Sequence, residues 1–303
     1  TDPGLIKANI SKRDDMFADD YVALCLDTFS DAQNAYVLMV NPLGIQGDGL
    51  MNSIGNMEPS MDFVWYSKGQ IDDLGYSVEF RIPLQSIRFS SRKSVVMGMA
   101  FVRQIVRTSE SSSFPALFPD KGSLISQLQP VSITGHKYDR VVEILPALTH
   151  SNRLAVQDGR LQRDTRQTDF SLTAKLGLTS DLTADAAYNP DFSQVESDAG
   201  QVDFNVRFAL YYPEKRPFFM EGIEYFQFAG NPEDSPLRAI VYTRTMINPI
   251  FGFKATGKIG PKSTIAAIYA HDDLPGDPVD RYPDVGIVRF RHSLKDDSYV
   301  GGF

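Results

Sequence analysis

The sequence predicts an all-β protein, with an antiparallel β-sandwich over residues 1–137 followed by part of an antiparallel transmembrane β-barrel over residues 138–303. Two observations lead to this prediction. Apolar and polar residues alternate with a period of two through most of the chain, which is the pattern of half-buried strands. Gly, Pro, Asn and Asp interrupt that pattern at short intervals, and hardly any stretch has the period of a helix.

Four apolar runs predict the strands of the sandwich, at residues 21–26, 35–40, 76–82 and 95–103. Turn-rich loops separate them, and such strands of mixed length with apolar centres are typical of a sandwich. The Ser- and Pro-rich residues 108–123 predict a long loop. Cys25, the single cysteine, lies inside the first run and is most simply a small core residue.

The second part of the chain differs, because each predicted hairpin has one apolar face and one small or polar face. Residues 172–178 set Leu and Ala against Thr and Lys, and residues 182–188 repeat this arrangement after a turn. Residues 251–259 set Phe and Ile opposite Lys and Thr. Because lipid contacts one face of a membrane barrel, this alternation favours a transmembrane β-barrel. A soluble sandwich or a lipocalin-like barrel alternates in the same way and stays open as an alternative.

Composition excludes several classes of function. The net charge of -8 and the pI near 5.1 argue against nucleic acid as a partner, because no basic patch is present to neutralise phosphates. Four His and one Cys are too few for the usual zinc sites. No Gly-x-Ser-x-Gly elbow and no Walker glycine loop occurs. The sequence therefore carries no strong enzyme signal and predicts no cofactor, with calcium the one candidate.

Residues 189–222 form the densest stretch of the chain, NPDFSQVESDAGQVDFNVRFALYYPEKRPFFMEG, which we call the hallmark segment. It resembles the signature of the DUF5916 family, bacterial outer-membrane β-barrel proteins of uncharacterised function. Residues 242–245 depart from that family, with Tyr-Thr-Arg-Thr in place of a more basic Tyr-Ser-Arg-Arg. The resemblance is carried by Asn189, Pro190, Asp191, Phe192, Gln194, Glu196, Asp198, Pro213, Glu214, Lys215, Arg216, Pro217, Phe218 and Phe219.

We interpret the hallmark segment as architecture rather than as an active site. Asn189-Pro190-Asp191 is expected to end the preceding strand, and Pro-Glu-Lys-Arg-Pro to form a rigid turn. Its charges would then pair within a polar lumen. Phe218 and Phe219 suit either an interfacial aromatic belt or an inward plug contact. The enzymatic alternative is a glycoside hydrolase that uses Glu196, Asp198 or Glu214 as acid and base.

The first part of the chain resembles a family 9 carbohydrate-binding module whose N-terminal strands are missing. The opening residues read like the middle of a domain and the last residues like a strand cut off midway, so we expect a fragment of a longer protein. Members of that family hold sugars between two tryptophans. Trp65 is the single Trp here, and it is the candidate carbohydrate-binding residue, although its alternation with Phe63 favours a core role.

Acidic residues before and after the first apolar run form a candidate calcium site. Hard cations take several carboxylate oxygens, and family 9 modules can bind calcium. The spacing does not match an EF-hand loop, and Asp-rich turns before strands are common. The acidic residues are Asp14, Asp15, Asp19, Asp20 and Asp27, and the candidate ligands among them are Asp19, Asp20 and Asp27.

Taken together, the resemblances imply a protein of the outer membrane of a Gram-negative bacterium, with outer-membrane lipid as a partner. Envelope transport or surface binding of glycans is the function expected, with glycans or other envelope proteins as further partners. Two alternatives stay open. One is a secreted or periplasmic glycan-active hydrolase or soluble carbohydrate-binding protein, and the other is a scaffold whose sandwich binds an envelope protein.

Overall fold

A computed structural model describes residues 3–53, 55–58, 62–89, 94–134, 140–157, 160–190, 214, 216–226, 241–260, 262–273, 283–294 and 298–303. The chain divides into two compact units, with the boundary between residues 139 and 140. Strands dominate both units, every strand pair is antiparallel, and the longest helix in the described part of the chain has four residues. The predicted all-β class is confirmed. None of the described helices is long and apolar enough to cross a membrane.

The described residues of the first unit form nine strands and several single turns of 3-10 helix. The turns are Pro3–Leu5, Leu84–Ser86, Val106–Thr108, Pro119–Lys121 and Ile125–Gln127. The strands are β1 (Tyr21–Asp27), β2 (Asn34–Val40), β3 (Gln46–Asn52), β4 (Met57–Glu58), β5 (Tyr66–Asp72), β6 (Gly75–Arg81), β7 (Ser94–Ile105), β8 (Glu110–Phe114) and β9 (Gln129–Thr134).

Seven of these strands form one sheet in the order β4-β3-β2-β1-β7-β8, with β9 also paired to β7. Both faces of this sheet are buried at its central strands β1 and β2. On one face Val37 and Met39 of β2 pack with Met16 and Leu128. On the other face their neighbours Leu38 and Val40 pack against Trp65 and the β5–β6 hairpin. Because successive side chains of a strand point to opposite faces, β2 places its apolar residues in two separate cores.

One loop prediction in this unit is wrong. The Ser- and Pro-rich residues 108–123 contain β8, in which Phe114 pairs with Phe101 and Glu110 with Ile105 of β7. Ser and Glu are poor strand formers by composition, but the long β7 offers backbone partners beyond its pairing with β1, and these partners order the segment. Cys25 is buried, as expected of a core residue.

The second unit contains seven strands in one antiparallel sheet, ordered β10-β11-β12-β13-β14-β15-β16 along the chain. Within the described residues its first and last strands each have one neighbour, so the sheet is open there. The strands are β10 (Val142–Gln157), β11 (Arg160–Gly177), β12 (Leu182–Tyr188), β13 (Asn248–Ile259), β14 (Ser263–Asp273), β15 (Asp284–Ser293) and β16 (Tyr299–Gly302). Between β12 and β13 lie the helix α1 (Pro217–Met220) and 3-10 turns at Ile223–Tyr225 and Thr243–Thr245.

The two faces of this second sheet have opposite chemistry. Residues that pair directly across strands share a face. One such row joins Ala174, Ala186, Phe253 and Tyr269, and all four have solvent contact. We call this side the open face. Several of the alternate residues in the middle strands, among them Asp185, Lys254 and Thr256, are buried, and we call their side the covered face.

Residues 214, 216–226 and 241–246 lie over the covered face, and we call them the covering segment. Phe218, Phe219, Tyr225, Phe226 and Met246 of this segment form a core with strand residues. The strand residues are mostly small or aliphatic, namely Ala187, Ala266, Ile268 and Ala270. The core of the second unit therefore lies between a mixed polar sheet face and a largely aromatic segment.

Candidate functional site

A buried ion pair holds the covering segment together at its first residues. The Arg216 guanidinium donates from Nε to Oε1 of Glu214 and from Nη2 to Oε2, each at 2.8 Å. The side chains of Arg216 and Glu214 are only 7% and 4% exposed. This fork-to-carboxylate geometry is the strongest form of a side-chain ion pair, and it satisfies both oxygens at once.

Further donors and acceptors complete this pair. The Thr243 hydroxyl donates to Oε2 of Glu214 at 2.6 Å. Two further guanidinium hydrogens go to backbone carbonyls, from Nη1 to Met246 at 2.6 Å and from Nη2 to Thr243 at 2.8 Å. The Arg216 guanidinium also lies over the Phe219 ring, 4.2 Å from its centroid. Two stretches far apart in sequence, 214–219 and 243–246, are thereby joined through one arginine.

The electrostatics of Glu214 favour a structural role. Burial alone would raise the pKa of its carboxyl, but the hydrogen bonds from Arg216 and Thr243 outweigh burial, and the pKa lies below its ordinary value. A general acid needs the opposite shift, toward a carboxyl that stays protonated near neutral pH. Glu214 is thus an ionised, fully engaged carboxylate, unsuited to donating a proton to a leaving group.

A second buried cation joins the covering segment to the sheet. Lys254 projects from β13 onto the covered face, and its Nζ donates to the backbone carbonyl of Phe218. The same Nζ lies 3.7 Å from a carboxylate oxygen of Asp185 on the neighbouring strand, whose Cα pairs directly with that of Lys254. A buried lysine is tolerated only with such partners.

Weaker contacts extend the attachment along the covering segment. Lys175 on β11 forms an ion pair with Glu221 at 2.7 Å, and Nη1 of Arg289 on β15 donates to the Tyr225 carbonyl at 2.6 Å. Gly222, with a φ of 73°, lies so close to Thr256 that a Cβ atom would collide with its hydroxyl. The covering segment is therefore attached to β11, β13 and β15.

The structure places part of the hallmark segment at this site. β12 ends at Tyr188 as expected, and Asn189 follows in a left-handed conformation, with its Nδ2 donating to the Phe170 carbonyl at 2.9 Å. Pro190 follows directly, and Pro217 opens α1. Phe218 and Phe219 are both buried in the core between the covering segment and the sheet, and the two roles considered for them in a barrel stay predictions. Asp191, Phe192, Gln194, Glu196, Asp198, Pro213 and Lys215 lie outside the described residues.

Trp65 lies in the core of the first unit. Only 4% of the residue is exposed, and its ring stacks on Phe80 with centroids 5.7 Å apart and planes 13° apart. Its indole N–H has no acceptor within the described residues. Sugar stacking needs an accessible ring face, which Trp65 does not offer in this arrangement. Carbohydrate binding itself stays a prediction.

The three candidate calcium ligands are not brought together. Asp19 accepts hydrogen bonds from Asn9 and Asn41, and Asp20 accepts them from the backbone N–H groups of Lys7 and Val106. Asp27 caps the turn after β1 by accepting from Phe29 and Ala32. Asp19 and Asp20 thus both hold residues 7–9 and Asp27 holds the turn after β1, and calcium binding stays a prediction without a formed site among these three.

A different acidic group does converge in the first unit. Carboxylate oxygens of Asp14, Asp48 and Asp62 lie within 4.8 Å of one another. The guanidinium of Arg13 lies among them, with Nε 2.7 Å from Asp48 and 3.0 Å from Asp62. Asp48 also accepts from the Phe63 N–H at 2.7 Å. The chain's own arginine is thus the cation of this group, which anchors the N-terminal residues to β3.

Sequence reasoning identified Glu214 and Arg216 but missed their partners. Thr243 lies in residues 242–245, which depart from the family pattern, and Met246 follows directly; no local signal connects either residue to residue 216. Lys254 was placed on the polar face correctly, but its pairing with Asp185 depends on the register of β12 and β13. An opposite-charge pair on neighbouring strands would have been the signal, had the register been known.

Comparison with known proteins gives one match. Residues 150–231 match a family described as "Domain of unknown function (DUF5916)". The match spans β11, β12, the hallmark segment and α1, and therefore includes both Glu214 and Arg216. No curated protein and no solved structure matches the chain.

Proposed function

We propose that the chain is part of an outer-membrane β-barrel protein of a Gram-negative bacterium. Strands β10–β16 form part of the barrel wall, with the open face toward lipid and the covered face toward the lumen. The protein acts in envelope transport or in surface binding of glycans. Its first unit is a sandwich that resembles a carbohydrate-binding module.

The observation that carries this proposal is the segregation of charge between the two sheet faces. All charged side chains of these strands belong to the covered face within three described ranges, residues 142–149, 169–188 and 251–270. They are Glu143, Asp169, Lys175, Asp185, Lys254 and Lys258.

The open face over the same strands carries large exposed apolar side chains instead. They include Ile144, Leu148, Phe170, Leu176, Tyr188, Phe253 and Tyr269. A soluble sheet turns its charges to water and its apolar residues to a core. Apolar patches of this extent are rare on soluble monomers, whereas a barrel wall in hydrocarbon requires one apolar face.

The covering segment supports the lumen assignment. Porin-type barrels have a polar interior, and some are filled by a loop or helix. Polar contacts of this kind join the sheet to the segment, from Lys254 to the Phe218 carbonyl, from Arg289 to the Tyr225 carbonyl and from Lys175 to Glu221. The hydrogen bonds that satisfy these ions explain how a charged interior accommodates the aromatic side chains of α1.

The experiment that tests the proposal is heat-modifiability of the full-length protein extracted from membranes. Closed barrels resist detergent until they are heated. We expect the unheated sample to run as a compact band that shifts on boiling. A protein recovered in the soluble fraction, with no shift, would overturn the proposal and return attention to the hallmark carboxylates as catalytic groups.

A further inference from the structure

The open face of β14 and β15 carries a hydrogen-bonded polar pair at each of its ends. At one end the Ser263 hydroxyl lies 2.9 Å from Nδ1 of His292. At the other end Nδ1 of His271 lies 2.8 Å from Oδ1 of Asp284, which also accepts from the Tyr269 hydroxyl at 2.7 Å. Each pair is formed by residues whose Cα atoms are direct partners across the two strands.

Between these two levels the open face is apolar. The intervening pairs across β14 and β15 are Ile265 with Phe290, Ala267 with Val288, and Tyr269 with Gly286. Between the two levels, none of the described open-face residues of β14 and β15 carries a charge. The same holds for the described residues of β10–β13 that pair, strand by strand, with these positions. The polar atoms reappear only where the His-containing pairs begin.

The spacing of the two levels matches a bilayer. Ser263 and His271 are separated by eight residue steps on β14, as are Asp284 and His292 on β15. At about 3.4 Å per residue this is about 27 Å along the strand. A strand tilt of about 40° reduces it to about 21 Å along the membrane normal, against an apolar band of about 25 Å in outer-membrane barrels.

Aromatic rings gather at one of the two levels. Phe251 stacks on His271 with ring centroids 5.0 Å apart and lies 6.1 Å from Tyr269. Tyr and His present an apolar ring and a polar tip, which suits the boundary between hydrocarbon and headgroups. The Tyr269 hydroxyl, bonded to Asp284, points its polar end toward that boundary.

We infer that these two polar levels are the two membrane–water interfaces of the barrel wall. Lipid headgroups contact the Tyr269–His271–Asp284 group at one interface and the Ser263–His292 pair at the other, and acyl chains cover the rows between. This inference rests on the proposed barrel and adds to it the depth at which the bilayer begins and ends.

The test is a depth profile by spin labelling in the full chain. Single nitroxides are placed at D284C, V288C and H292C in a C25A background, with I71C in the first unit as a water-exposed control. The protein is reconstituted into phosphatidylcholine vesicles. Collision of each label with oxygen and with a water-soluble nickel chelate is then measured, because oxygen concentrates in hydrocarbon and the chelate in water.

We expect the oxygen-to-nickel collision ratio to be several-fold higher at residue 288 than at residues 284 and 292. A maximum elsewhere, or equally deep labels at 284 or 292, would overturn the assigned interfaces while leaving the barrel intact. Ratios at all three positions equal to that at residue 71 would overturn the barrel as well.

Replacement of His292 or Asp284 removes a hydrogen bond, so a second measurement leaves both pairs intact. A tryptophan is placed by V288W in a W65F background, and its quenching by lipids brominated at different chain depths is recorded. Strongest quenching by lipids brominated near the end of the acyl chain is the expected result. Strongest quenching near the headgroup would contradict the assigned interfaces.

Discussion

The two units each build a seven-stranded antiparallel sheet, yet they treat its faces in opposite ways. In the first unit both faces of β2 are buried, with Leu38 and Met39 in separate cores. In the second unit the apolar face is exposed and the charged face is covered, so that Leu148 is 73% exposed while Lys254 is buried. Strand propensity alone does not distinguish these sheets.

This difference between the buried faces indicates which interactions stabilise each sheet. Burial of apolar surface stabilises the first sheet, as in any water-soluble core. The second sheet buries ions beside the small apolar side chains of its covered face, and burial of ions stabilises a fold only when each has partners. The apolar side chains of its open face are exposed, so they would stabilise the fold more in an apolar medium than in water.

The largest expected effect comes from breaking the buried pair in the covering segment. Arg216→Met leaves Glu214 buried without its partner, so we expect a loss of about 3–5 kcal/mol in the free energy of unfolding. The measurement is the denaturant concentration at which the compact band on an unheated gel disappears.

Two controls accompany that variant. Arg166→Met removes an exposed arginine of β11 and should change little. The double variant Glu214→Gln with Arg216→Met removes both charges and should recover part of the loss. An Arg216→Met protein as stable as the parent would show that the pair does not hold the segment.

A cavity in the first sheet should come next in size. Leu38→Ala removes a fully buried side chain beside Trp65, so we expect a loss of about 2–5 kcal/mol. Trp65 is the single tryptophan, and its fluorescence reports unfolding of the first unit. Leu74→Ala in the exposed turn after β5 is the matched control, and equal shifts for the two variants would contradict the assigned core.

A charge introduced on the open face of the second sheet tests directly whether that face contacts water, as the surface of the first unit does, or an apolar medium. Val288→Arg places a cation on a residue that is 58% exposed, which in water would be nearly neutral. At the midplane of a bilayer the same change costs about 2–4 kcal/mol. We expect the larger cost in vesicles, measured by urea unfolding, and almost none for Ile71→Arg on the first unit. No cost for Val288→Arg would place the open face in water.

The pH dependence of the two units should have opposite signs. Glu214 has a lowered pKa, so its stabilising contribution is complete above the ordinary carboxyl pKa and is lost as pH falls through the folded value. Burial raises the pKa of Asp48 despite its bond to Arg13, so its destabilising contribution is absent at low pH and complete above the raised value.

Both predictions are checked by measuring the stability against unfolding as the pH is lowered. The compact gel band reports the second unit, and Trp65 fluorescence reports the first. Glu214→Gln should flatten the acid loss seen on the gel. Asp48→Asn should flatten the fluorescence profile in the first unit. Parallel profiles for the two units in the parent protein would contradict this prediction.

The smallest expected effect concerns the Lys175–Glu221 pair. Both side chains are about a third exposed, at 30% and 32%, so water screens their attraction. Lys175→Ala should therefore cost less than about 1 kcal/mol on the gel assay. A cost close to that of Arg216→Met would mean that this pair, rather than the buried one, anchors the covering segment.

Period-two alternation was enough to predict much of the fold. Strand β12 was placed at Leu182–Tyr188 and the end of the strand at Asn189, because apolar alternation and an Asn-Pro turn are both local signals. The assignment of Lys254 to the polar face followed in the same way. Cys25 was likewise placed in the core by its apolar neighbours.

Contacts between residues far apart in the chain could not be predicted from the sequence. Arg216 reaches the carbonyls of Thr243 and Met246, and this contact depends on how the chain returns after residue 226. Asp19, Asp20 and Asp27 are close in sequence, but Asp19 and Asp20 bind residues 7–9 whereas Asp27 caps the turn after β1. Strand β8 depends on backbone partners in β7 rather than on its own composition.

Both lysines of β13 lie on the same face of the sheet, and this has a consequence for the register in which the strands pair. Lys254 and Lys258 lie four residues apart on the covered face, and Phe253 and Ala255, at the alternate positions, lie on the open face. A slip of one residue against β12 or β14 would turn both lysines outward and drive the Phe253 ring into the space under Phe218. A shifted register would thus lose the ion pair of Lys254 with Asp185 and also disrupt the packing around Phe218. The buried ions therefore favour a single register of β13 against its neighbours.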